Sequence, residues 1–141
     1  MTQQEMRGDR LLGELIGEGR GKVQALRVLE NGRIEINLQG NGKLLGIDFG
    51  DVTTFWSEMR PNGTAYGEGN SLFMTSEGMA EWKGSGVGKP TGPNTWTYSY
   101  AGAFKKVASP KWQRLLGMHT VGQYQDDENG NYVWRLWEWK V

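Results

Sequence analysis

Three stretches of this chain carry glycine at every second position: Gly17, Gly19 and Gly21; Gly67 and Gly69; and Gly84, Gly86 and Gly88. Residues two apart share one face of a β-strand, whereas a helix would scatter them. A strand face made of glycine coils sharply and lets a large neighbouring side chain approach closely. The chain also holds seven Trp, five Tyr and four Phe to fill such spaces. Trp96, Tyr98, Tyr100 and Phe104 alternate onto one face of their segment. The segment before it puts Ala80, Trp82, Gly84, Gly86 and Gly88 on one face and Glu81 and Lys83 on the other. Rings lying over neighbouring glycines are therefore expected. The first glycine run superficially resembles a nucleotide loop, but such a loop must open a helix whose amides meet the phosphate. Here Lys22-Val23-Gln24-Ala25-Leu26 continues as a strand, which argues against nucleotide binding.

The rest of the chain repeats this rhythm of short alternating segments between turn signals. Strands are expected at 14–29, 33–39, 43–49, 52–60, 64–75, 79–89, 95–107, 118–125 and 132–141. The turns between them are Asn31-Gly32, Gly40-Asn41-Gly42, Gly50-Asp51, Pro61-Asn62-Gly63, Glu77-Gly78, the run 90–94 and the run 126–131. The segment 33–39 alternates cleanly, with Ile34, Ile36 and Leu38 on the core side. One short helix is expected near 109–117, with Ser109 as cap, Pro110 at the first position and Gly117 as stop. The fold class is all-β: a closed, eight-stranded antiparallel up-and-down barrel. A ninth segment arises if the chain breaks at Gly50 instead of bending there. Closure removes the aggregation-prone edges of such aromatic strands, and eight strands leave an interior that side chains fill or one small ligand occupies. Residues 1–12 read as a flexible or weakly helical lead-in, and 13–141 as one barrel domain.

Composition excludes several chemistries. No cysteine is present, so disulfides, thiolate catalysis and cysteine-bound zinc are ruled out, and the single histidine cannot build a multi-histidine site. Sixteen basic and sixteen acidic residues cancel to zero net charge, which argues against a nucleic-acid partner. No segment approaches the ~18 apolar residues of a membrane span, and no signal-peptide pattern opens the chain. The expectation is a cytoplasmic protein with no membrane partner, no metal and no cofactor. The acidic run Asp126-Asp127-Glu128-Asn129-Gly130-Asn131 lacks the spacing of a calcium loop and reads as a hairpin turn.

The sharpest candidate for chemistry is Glu68, in Tyr66-Gly67-Glu68-Gly69-Asn70. One face of this strand reads Tyr66, Glu68, Asn70, Leu72 and Met74, and its greater apolar bulk assigns it to the interior. A desolvated carboxylate there would act as general acid or base. Tyr66, Asn70, Trp82, Tyr98 and Tyr100 are the expected ligand contacts, with His119 as a proton carrier at the cavity mouth. Glu18 and Arg20 belong to a charged, solvated face. In the closing segment, Trp137 and Trp139 share one face and Trp134 takes the other. One face must fill the barrel, and the other packs under the N-terminal segment or against a second subunit.

The stretch Gly13-Glu14-Leu15-Ile16-Gly17-Glu18-Gly19-Arg20-Gly21-Lys22-Val23 resembles the start of a small family of conserved, uncharacterised prokaryotic proteins. Tyr66-Gly67-Glu68-Gly69, Trp82-Lys83-Gly84-Ser85-Gly86-Val87-Gly88 and Trp137-Glu138-Trp139-Lys140 resemble its later blocks, so the likeness runs over about residues 13–140. It is silent on activity. More distantly, the architecture is similar to the allene-oxide-cyclase-like and lipocalin-like barrels, a resemblance that implies an interior cavity for an apolar ligand. No stretch matches a cyclase catalytic motif, so no catalytic residue is carried over. Three functions remain in view. The first is a barrel that binds a small apolar or aromatic molecule. The second is a cofactor-free isomerase or cyclase using Glu68. The third is a homo-oligomeric interaction domain with a filled barrel.

Overall fold

A computed structural model describes residues 11–140. The expected lead-in at 1–12 lies outside the described residues up to position 10, and Leu12 already belongs to the first strand. Eight strands follow: β1 (Leu12–Val28), β2 (Arg33–Leu44), β3 (Ile47–Met59), β4 (Ala65–Thr75), β5 (Gly78–Gly92), β6 (Thr95–Val107), β7 (His119–Asp126) and β8 (Asn131–Trp139). Each pairs antiparallel with the next, and β8 pairs back onto β1 to close the barrel. No backbone edge is left around the closed part of the wall.

Side chains alternate in and out along every strand, and the inward faces build two clusters. The lower one includes Leu44, Phe49, Phe73, Trp82, Phe104 and Leu136. The upper one joins Leu38, Tyr124 and Tyr132 to partly buried Phe55, Tyr98 and Trp134. A 3-10 helix at Pro110–Gly117 plugs the lower end. It buries Trp112 and Leu115 completely, and the Trp112 indole N–H donates to the Leu44 carbonyl at 2.9 Å. The helix lies where expected, but Ser109 does not cap it through its side chain. The first-turn amide of Trp112 instead reaches the Ser109 backbone carbonyl at 3.1 Å, and the Ser109 hydroxyl is buried without a partner.

Two expected turns are strand interiors. Gly40-Asn41-Gly42 lies within β2, with Gly40 opposite Gly21 and Gly42 opposite Gly19. These glycines clear space inside the barrel: a Cβ on Gly40 would stand 2.6 Å from the Tyr132 hydroxyl, and one on Gly42 2.9 Å from the Phe49 ring. The real turn is Leu45-Gly46, both at positive φ (50° and 76°). Leucine rarely adopts that conformation, but here its side chain packs on the lower cluster. Gly50-Asp51 is likewise no turn. β3 runs unbroken through it, pairing Asp51 with Gly40 on one side and Phe73 on the other. The segments expected at 43–49 and 52–60 are thus largely halves of one strand. The strand β5 also continues to Gly92, and the chain reverses around Asn94, at φ 59°.

Candidate functional site

Between the two aromatic clusters the barrel keeps a cavity of about 110 Å³. Eight aromatic residues line it, among them Phe55, Tyr98, Tyr124 and Trp134. Phe55, Tyr98 and Tyr124 meet edge to face at centroid separations of 5.7 to 6.2 Å, the geometry preferred by aromatic quadrupoles. Tyr124 stacks on Tyr132 at 5.5 Å. Gly67, Gly69, Gly84 and Gly86 make the β4 and β5 part of the wall, and Gly88 continues the row on β5 beside Tyr98. A Cβ on Gly88 would stand 2.5 Å from the Tyr98 ring, so the expected complementarity of ring and glycine is realised. Tyr98 reaches across β4 and β5 to share a 2.8 Å hydrogen bond with Ser57 of β3. Burial raises its phenol above the usual range, and the nearby Asp126 charge adds to the shift.

One carboxylate stands in this apolar space. Asp51 lies at mid-height of β3, between Phe49 and Phe55 in the alternating series, and keeps 5% of its exposure. The Thr53 hydroxyl donates to its Oδ2 at 3.0 Å, and Thr53 and Ser71 share a hydrogen bond at 2.7 Å. Since Thr53 has one proton to give, Ser71 donates to Thr53 and a short relay ends on Asp51. Asp51 Oδ1 has no protein partner, and neither has the Tyr132 hydroxyl, itself buried. Both groups flank Gly40: Asp51 is its cross-strand neighbour, and the Tyr132 hydroxyl occupies the space its absent side chain leaves. Burial pushes the Asp51 carboxyl above the usual carboxylate range, partly offset by the Thr53 hydrogen bond. Burial also raises the Tyr132 phenol, and the Asp51 charge raises it further.

The expected site residues divide between the two sides of the wall. Trp82, Tyr98 and Tyr100 point inward and line the cavity. Tyr66, Glu68 and Asn70 are on the outer face of β4, the reverse of the expected orientation. Gly67, Ser71 and Phe73 take the inner face. The Glu68 backbone runs along the cavity wall, but its carboxylate receives the Tyr66 hydroxyl at 2.9 Å, and Tyr66 itself meets Trp56 and Arg60 outside. The reason is spatial. Rings from β6 and β8 already occupy the interior opposite β4, so the strand presents its small residues inward and its bulky ones outward. Glu68 is thereby removed from the interior acid–base role. His119 is also outside: it is exposed at the start of β7, at the plugged end, while Thr120 beside it is buried. The interior carboxylate is Asp51, which the alternation Ile47, Phe49, Asp51, Thr53, Phe55 discloses once Gly50-Asp51 is not read as a turn. Glu18 and Arg20 are exposed as expected, and Trp134 is the tryptophan of β8 that fills the barrel. Among the described residues, no group of three or more His, Asp or Glu is placed to hold a metal ion, and no helix is long and apolar enough to cross a membrane.

No family model and no curated protein matches the chain. Among solved structures, the crystal structure of a protein with unknown function from Clostridium acetobutylicum ATCC 824 is similar to it, with a TM-score of 0.76. The match covers 92% of this chain and 97% of that one at 12% sequence identity. This shows a shared barrel fold and nothing of activity.

Proposed function

We propose that the protein is a binder of one small, largely apolar or aromatic molecule, held inside the barrel without a cofactor, in the cytoplasm. The observation that carries this reading is the pairing of an aromatic cavity with two buried polar atoms that the protein itself leaves unpartnered, Asp51 Oδ1 and the Tyr132 hydroxyl. Buried polar groups are nearly always satisfied, and leaving one unmade costs about 1–3 kcal/mol. Mostly apolar pockets with a few convergent polar groups are the usual form of ligand sites. The volume sets the scale of the occupant: a cavity of roughly 150 Å³ accepts benzene, so about 110 Å³ suits a molecule or headgroup of some five heavy atoms.

Native mass spectrometry of the purified protein, followed by extraction of any bound species, tests this reading. A stoichiometric small-molecule adduct is the expected result. A clean apo mass, together with unchanged Trp82 and Trp134 fluorescence across a library of small aromatic and aliphatic compounds, would overturn it.

A further inference from the structure

We infer that the molecule bound in the barrel is a small organic ammonium ion, its N–H groups bridging Asp51 Oδ1 and the Tyr132 hydroxyl. This inference rests on the binding reading above and adds to it the chemical class of the ligand. The charge of the lining is one-sided. Among the described residues, Asp51 is the one carboxylate that faces the cavity, since Glu68 borders it only along the backbone and turns its carboxylate out to the Tyr66 hydroxyl, and no Lys, Arg or His borders it. Asp126, the other carboxylate of the inner face, has both oxygens occupied, by the Tyr124 hydroxyl at 3.1 Å and the Trp96 amide at 2.7 Å, so Asp51 is left as the carboxylate with a free acceptor. An anionic ligand would meet only like charge and ring faces. A neutral alcohol would satisfy Oδ1 but leave the carboxylate uncompensated in an apolar space, which is costly.

An ammonium ion answers each feature. One N–H donates to Oδ1 in a charge-assisted bond, and a second donates to the Tyr132 oxygen. The faces of Phe55, Tyr98 and Tyr124 attract the positive charge through their quadrupoles. The aliphatic remainder lies against the ring-lined wall. Gly40 permits the arrangement, since any side chain there would displace the Tyr132 hydroxyl from beside Asp51. Burying an unpaired carboxylate among aromatics is hard to reconcile with stability alone, and such groups concentrate at functional sites.

Three four-carbon probes separate the outcomes: n-butylammonium, 1-butanol and butyrate, titrated at neutral pH with indole fluorescence and amide NMR shifts of Thr53 and Ser71 as readouts. Butylammonium is expected to bind about tenfold or more tightly than butanol, in line with the extra strength of charge-assisted bonds, and butyrate weakest. Asp51→Asn should abolish the preference for the cation, and Tyr132→Phe, which keeps the ring stack, should reduce it by roughly threefold to tenfold. Butanol or butyrate binding as well as butylammonium would overturn the ammonium assignment while leaving the binding reading intact. Failure of all three probes, measured on the wild-type protein and so independent of any variant's folding, would overturn both.

Discussion

At the scale of single residues, Asp51 is where folding and function pull apart. Its carboxyl titrates above the ordinary value of 3.8 because burial disfavours the charge. The folded chain therefore holds this proton more tightly than the unfolded chain does. The group's contribution to stability is full below the unfolded value and declines as pH rises through the raised folded value. Asp51→Asn keeps an oxygen to accept the Thr53 hydroxyl and removes the charge. The variant should be more stable than wild type at pH 7 by about 1 kcal/mol, a few degrees in Tm, with the gain shrinking toward zero below about pH 4. Thermal melts across pH read this directly, and a less stable variant at pH 7 would show that the ionised carboxylate supports the fold. Asp51 was hidden in the sequence for a local reason: Gly-Asp is also a turn dipeptide. Only the unbroken pairing of β3 with both neighbours distinguishes the two meanings.

At the scale of elements, most hairpins were legible because their turn residues carry a steric signature. Asn31 and Gly32 adopt positive φ, Gly63 follows Pro61 and Asn62, and Gly130 closes the acidic turn. Leu45-Gly46 escaped because leucine is not a turn former, and its left-handed backbone is maintained by packing on the core. The direction of β4 escaped for a related reason. Apolar bulk marks the buried face only when the interior has room for it, and here that room is taken by rings from other strands. The 3-10 helix is a different kind of element, a plug whose worth lies in one tryptophan. Trp112→Ala removes a fully buried indole and leaves the Leu44 carbonyl without its donor. The expected loss is about 3–5 kcal/mol, against the roughly 5–15 kcal/mol that a domain has in total. Urea unfolding should show a much lower midpoint, and a loss under 1 kcal/mol would mean the lower end is held by the strands alone.

At the scale of the whole molecule, the barrel is closed by its most distant partners, since β1 pairs with β8 across the length of the chain. Without β8, the strands β1 and β7 would present unpaired backbone edges. A chain ending before Asn131 is expected to elute as aggregate in size-exclusion chromatography. A monomeric, folded truncation would show that closure is dispensable. Closure also explains why the site is invisible to local reading. The cavity is assembled from β2 to β6 together with β7 and β8, and no two consecutive strands contain enough of its wall to define it.

The architecture followed from alternation, glycine placement and turn chemistry, because strand geometry has a period of two and each turn obeys its own steric rule. The inward assignment of Trp82, Tyr98 and Tyr100 followed from the same pattern, ring opposite glycine. Which side of β4 faces the core, where Glu68 and His119 stand, and that Asp51 is the buried carboxylate were decided only by the tertiary structure. Those outcomes depend on competition for interior volume among strands far apart in the chain, and volume is shared by the whole barrel rather than encoded in any one strand.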